Sequence, residues 1–114
     1  MAMIESYHFG AIVIDGRKFE SDLIIFPDRI DSSWWRKDGH ALGVDDVQDI
    51  VKAKPEILVV GTGYSGMMKF HPATKQYLTS SGIELLAAKT ENACKTYNVL
   101  SKSRSVIAAL HLTC

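Results

Sequence analysis

Ile57-Leu58-Val59-Val60-Gly61-Thr62-Gly63-Tyr64-Ser65-Gly66 is the stretch on which the reading of this chain turns. Four apolar residues in a row, three of them β-branched, give way at once to Gly61, Gly63 and Gly66. A run without polar alternation suits a strand covered on both faces, as in the middle of an α/β sheet. The glycines then form the loop where that strand emerges, and in open α/β sheets ligands usually bind beside such loops.

Outward from this strand the chain alternates. Upstream, Val44 to Ala53 reads as an amphipathic helix with Val44, Val47, Ile50 and Val51 on one face, closed by Pro55. Downstream, Met67 to His71 leads into a second helix, Pro72 to Ser81, with Gly82 just past its end. Ile83 to Ala88 is the next strand. Thr90 is placed to cap a third helix carrying Ala93, Tyr97 and Leu100, and Val106 to Leu112 is a last buried strand. Strands alternating with helices imply parallel pairing through crossovers. The N-terminal part differs. Phe9 to Ile14 is a strand, Asp15-Gly16 supplies a type I′ hairpin turn, and Arg17 to Glu20 returns as a polar edge strand. Leu23 to Phe26 is a further apolar run, ended by Pro27. The expected fold is a three-layer α/β domain over residues 1–114. It has a central, mostly parallel sheet with helices and an added N-terminal antiparallel hairpin layer.

The chain has 114 residues, with 13 basic and 13 acidic side chains that cancel. No basic run concentrates a positive field, which argues against nucleic acid or an anionic membrane as a partner. No apolar stretch approaches the roughly 20 residues of a membrane-spanning helix. The first residues lack the basic and apolar regions of a secretory signal. The two cysteines, Cys94 and Cys114, form no C-x-x-C pair, so reduced thiols and a cytoplasmic location are expected.

Gly61-Thr62-Gly63-Tyr64-Ser65-Gly66 fits G-x-G-x-x-G, the pattern that brings backbone amides to a pyrophosphate at a helix N-terminus. Its surroundings do not fit. No helix opens from the third glycine, and the next strand ends in Lys89 where an acid should meet a ribose. No bound cofactor is expected. A smaller anion site remains open, built from Gly61, Thr62, Gly63 and Gly66 with Lys89 and Thr90 on the adjacent strand end. The four histidines show no metal-ligand spacing, so no metal site is expected. Cys94 reads as a packing residue, and Ser65 lacks the register of a nucleophile elbow. Trp34 and Trp35 point in opposite directions if extended. With Arg36 and His40 they form a candidate protein-contact surface, since aromatics beside arginine are enriched at such sites.

Pro55-Glu56-Ile57-Leu58-Val59-Val60-Gly61-Thr62-Gly63, the run Thr90 to Leu100 and the closing Arg104 to His111 together resemble a domain-of-unknown-function family of small α/β proteins. That family has archaeal and bacterial members, and it includes a vertebrate adipogenesis-associated protein and a mitochondrial complex I assembly factor. The resemblance implies a three-layer fold with an N-terminal β layer and no settled chemistry. It also implies a mode of action, a scaffold or assembly partner without turnover. Lacking a mitochondrial presequence, the chain is expected to be of the stand-alone prokaryotic or archaeal type. The leading expectation is a non-enzymatic protein acting through protein contact around Trp34 to His40 and the glycine loop. The alternative is a binder of a small anion or nucleotide, possibly an enzyme, at Gly61 to Gly66 with Lys89 and Thr90. No catalytic residue is assigned.

Overall fold

The computed structural model describes residues 2–38 and 40–114. Its organising strand is β7, Ile57–Thr62, in which every residue is buried. On one side it pairs in parallel with β10, Val106–His111, and on the other with β9, Glu84–Ala88. Beyond β10 the sheet turns antiparallel, through β4, Leu23–Ile25, and then β5, Ile30–Asp31. The strand order is β5-β4-β10-β7-β9. The central sheet is thus mixed, with a parallel trio at its heart and the two N-terminal strands opposing it.

The helices α2, Pro72–Ser80, and α3, Thr90–Leu100, connect the trio. The chain steps outward from β7 to β9 through α2, then back across β7 to β10 through α3. Reversing direction while keeping one hand of crossover requires the two helices to lie on opposite faces. They do so. Leu78 of α2 packs with Leu58, Val60, Ile107 and Ala109, whereas Ala93, Cys94 and Tyr97 of α3 pack with Ile57, Val59, Val106 and Ala108. The alternation of successive strand residues between two cores is why β7 and β10 are apolar up to their last residues, Thr62 and His111.

The third-layer strands join α3. They are β1, Ile4–His8, β2, Ala11–Ile14, and β3, Arg17–Phe19, all antiparallel. Ile4, Ile12, Ile14 and Phe19 reach the α3-side core. The turn residues Asp15 and Gly16 have φ of +49° and +79°, as a type I′ turn requires. The sequence reading omitted Ile4 to Ser6 as strand. β1 presents mostly exposed side chains, so its signal is weak, yet the Asn98 carboxamide clamps both the N–H and the C=O of Ile4.

Two helix expectations are corrected. The helix expected over Val44 to Ala53 is a 3₁₀ turn, Val44–Val47, followed by a short α1, Gln48–Lys52. The Asp46 carboxylate accepts from the Gly43 amide and tightens that first turn. Thr90 is not the N-cap of α3. It is the first helical residue, Lys89 precedes it as the cap, and the Thr90 hydroxyl serves another purpose. Two-residue strands β6, Ala41–Leu42, and β8, Lys69–Phe70, pair in parallel over the α2-side core. They tie down the segment after Trp34–Trp35.

Candidate functional site

The glycine loop closes on the protein itself. Thr90 is fully buried, and its Oγ1 donates to the His111 carbonyl at 2.6 Å and accepts from the Gly63 amide at 2.9 Å. The Thr90 amide returns a bond to the Gly63 carbonyl. One hydroxyl thereby locks the ends of β7 and β10 to the start of α3. The residues after β10 then lie along the loop. Tyr64 N–H donates to the Thr113 carbonyl at 2.7 Å and Met67 N–H to that of Cys114 at 3.2 Å. Gly66 N–H donates back to Gly63, and Met68 N–H to Thr62.

This explains the glycines. A Cβ at Gly63 would stand 2.6 Å from the Cys114 carbonyl oxygen, and one at Gly61 would stand 2.7 Å from Thr90 Oγ1. Gly63 also has φ +108°, a conformation side chains rarely adopt. The loop is glycine-rich because backbone packs on backbone. The amides of Gly63, Tyr64, Gly66 and Thr90 are already committed to protein carbonyls and to the Thr90 hydroxyl. Thr62 is buried with its hydroxyl on the Ala88 carbonyl, and Lys89 lays its stem over Gly66 with its side chain exposed.

This tip presents three large apolar side chains to solvent, beside the exposed Ser65 and Lys89. Tyr64 is 54% exposed, Met67 55%, and Phe9, from the neighbouring β1–β2 turn, 57%. The Phe9 and Tyr64 rings meet edge to face at 5.7 Å, and the Tyr7 ring, tilted, stands 6.4 Å from Tyr64. Tyr7 is anchored by its hydroxyl to the Leu112 carbonyl, and Gly10 N–H bonds the same oxygen. Tyr64 and Met67 lie within or just after the glycine loop, but sequence reasoning did not single them out. Phe9 lay far away along the chain, and only the third layer brings it there.

The Trp34 to His40 segment is divided. Trp35 is 76% exposed and His40 is exposed, while Trp34 and Arg36 are buried. The opposite facing of the two tryptophans was expected; Arg36, expected to be accessible on the contact surface, is instead buried, because its guanidinium pairs inward. Its guanidinium lies 4.7 Å over the Trp34 ring and 2.8 Å from Asp22 Oδ2. Gly39 lies outside the described residues.

Asp22 is the residue the sequence reading missed. It sits between β3 and β4, and its carboxylate gathers Arg36, His111 Nδ1 at 2.7 Å and the Leu112 amide at 2.8 Å. Burial pushes its pKa up, but the hydrogen bonds from His111, Leu112 and Arg36 outweigh that and hold it at about 2. A carboxylate acceptor at that distance places a proton on His111 Nδ1. Nε2 is buried and has no partner among the described residues. A lone Asp between Ser21 and an apolar run carries no sequence signal for this role. Cys94 is buried, and burial pushes its thiol up to about 12, which suits packing and not nucleophilic chemistry. Among the described residues, no three His, Cys, Asp or Glu side chains converge as a metal site would require. Among them, no helix is long and apolar enough to cross a membrane.

Comparison with known proteins gives a family match over residues 4–111, to a family described as protein of unknown function (DUF498/DUF598). A conserved hypothetical protein from Pyrococcus horikoshii has 28% identity and a TM-score of 0.84, the alignment covering 97% of this chain and 98% of that one. A protein from Bordetella parapertussis has 26% identity and a TM-score of 0.80, covering 96% and 93%. A Bordetella pertussis protein described as a Mth938-like domain shares the fold, with 22% identity, a TM-score of 0.75 and coverage of 96% and 85%. The NADH dehydrogenase [ubiquinone] 1 alpha subcomplex assembly factor 3 of Xenopus tropicalis is 27% identical over 108 residues. That alignment takes 93% of this chain and 58% of the length of that relative.

Proposed function

This chain belongs to the DUF498/DUF598 family of proteins of unknown function, and from that premise we propose that it acts by contact with another protein, in an assembly-type role without turnover. The observation that carries the reading is the exposed trio of Phe9, Tyr64 and Met67 on a tip whose backbone groups are internally satisfied. Aromatic and methionine side chains are enriched in interface cores, and a base already ordered by internal hydrogen bonds spares the backbone cost of docking. The similarity to an assembly factor supports the same mode, since assembly factors work by binding. Trp35 and His40 form a second exposed part of the expected contact surface, while Trp34 and Arg36 support it from beneath.

The reading treats residues 1–114 as one unit in the cytoplasm, with no nucleic-acid partner, consistent with the cancelling charge. Site-specific photo-crosslinking in cells tests it. A benzophenone side chain placed at Phe9, Tyr64 or Met67 is expected to trap one and the same protein. A probe at Val99, exposed on α3, is the control and is expected to trap none. Indistinguishable products from all four positions would overturn the assignment.

The competing reading, an anion at Gly61 to Gly66 with Lys89 and Thr90, has few amides left to serve it. It makes a separate demand. A ligand at about 100 times its Kd stabilises a fold by about 2.7 kcal/mol. A thermal-shift panel of nucleotides, cofactors and phosphate therefore gives a shift of roughly ten degrees if one binds there. Lys89→Glu abolishes that shift. No shift across the panel is the expected result.

A further inference from the structure

The edges of the sheets are treated unequally. β5, at one end of the central sheet, is only two residues long. The hairpin sheet ends on one side in β3, which carries Arg17 and Lys18, and on the other in β1, whose register is broken between Ile4 and Ser6. Short length, charge and irregular register are the usual means by which edges are kept from pairing with other chains. β9 is neither short nor irregular, and its one charge, Glu84, stands at its first residue. It is five residues of regular strand, Glu84-Leu85-Leu86-Ala87-Ala88, paired without a break to β7. No proline or lysine interrupts it, and it closes one end of the sheet order.

The outward polar groups of β9 follow from its pairing. Glu84 N–H donates to the Glu56 carbonyl, on the β7 side. By the alternation of a parallel ladder, Leu86 and Ala88 also face β7, so the N–H and C=O of Leu85 and Ala87 face away from the sheet. Leu85 and Leu86 are only partly buried, and Ala87 is exposed. Beside the edge lies a cleft of about 680 Å3 lined by Lys75 and Thr79 of α2, Gly82, Ile83 and Leu85. That is room for another strand.

We propose that β9 is a homodimer edge: a second copy of this chain pairs its own β9 antiparallel to it, about a twofold axis at Leu86, making one continuous ten-stranded sheet. The occupant follows from self-complementarity. In this register Leu85 exchanges both hydrogen bonds with Ala87 of the second copy, and Ala87 with Leu85 of the second copy. Every outward group of both strands is then satisfied by the same two residues. Leu86 meets Leu86 of the second copy on the α3 face, and Leu85 covers Ala87 of the second copy on the other. The charges agree. β9 begins at Glu84 and is followed by Lys89, both exposed, so antiparallel pairing brings acidic end to basic end. Parallel addition would set like against like.

Sedimentation and light scattering of the whole chain test this. At about 100 µM, well above a micromolar Kd, the expected mass is twice 12.6 kDa. Ala87→Pro removes an outward N–H that β7 does not use, and Ala87→Lys installs an edge lysine on an exposed position. Each is expected to return the protein to monomer at that concentration, with the dimer weakened about a thousandfold and the circular dichroism unchanged. Tyr64→Ser, at the tip, is expected to leave the dimer intact, which separates this interface from the proposed contact surface. Hydrogen exchange of the unmodified protein gives a reading free of any folding defect. The Leu85 and Ala87 amides should slow at least tenfold between dilute and concentrated samples. A monomer at that concentration, fast exchange at both amides, or a dimer that survives in folded Ala87→Lys would each overturn the proposal.

Discussion

The glycine loop and the Trp34 to His40 segment invert each other. The loop is rich in backbone donors that suggest a ligand, yet those donors are turned inward onto Thr90, Thr113 and Cys114. Its solvent face is made instead by Tyr64 and Met67 with Phe9. The tryptophan segment is rich in side chains that suggest a surface, yet Trp34 and Arg36 are buried over Asp22. Composition says which chemistry a segment carries. It does not say which way that chemistry faces, because facing is decided by whichever distant group satisfies it at least cost.

If that contrast is right, the buried side of each region governs stability and the exposed side does not. The largest effect is expected at Asp22→Ala. Removing the carboxylate takes an ion-pair partner from the buried Arg36 and the acceptor from His111 and Leu112, a loss of about 3 kcal/mol in denaturant titration. The same group predicts a pH dependence. Its folded pKa of about 2 lies below the ordinary 3.8, so its stabilisation is fully present above 3.8 and disappears as pH falls through about 2. Midpoints measured across that range should fall in the unmodified protein and flatten in Asp22→Ala. Equal slopes in the two would place the acid sensitivity elsewhere.

Thr90→Val comes next. It keeps the shape of the side chain and orphans the Gly63 amide and the His111 carbonyl, costing about 2–3 kcal/mol. A loss below about 0.5 kcal/mol, the range of ordinary surface changes, would mean that the hydroxyl does not hold the tip together. The smallest effects belong to the exposed sides. Tyr64→Ser and Trp35→Ala should each change stability by no more than about 0.5 kcal/mol. A larger loss at either would show that side chain to be structural and would collapse the contrast.

Much of the fold was legible because it rests on local patterns with few alternatives. The unbroken apolar runs at Ile57 to Val60 and Val106 to Leu110, short and rich in β-branched residues, suit strands covered on both faces. Pro72 and Gly82 bracketed α2 to within a residue, and Asp15-Gly16 fixed the hairpin turn. The misreadings were local signals overridden at a distance. Thr90 looked like a cap because a threonine before a helix usually is one, but Gly63 and the His111 carbonyl claimed its hydroxyl first. Strand β1 was invisible from Ile4 to Ser6 because its hold comes from Asn98, near the other end of the chain.

By itself, then, the sequence determined the strand–helix alternation, the position of the central strand, the absence of any concentrated charge and the family to which the chain belongs. Periodicity and turn chemistry act over a few residues and can be read without the fold. Only the tertiary structure decided that Phe9 meets Tyr64, that Asp22 gathers Arg36 and His111, and that β9 is left as the open edge. Each of these depends on which segments become neighbours. That choice minimises unsatisfied polar groups and exposed apolar area over the whole chain, a sum no short window contains.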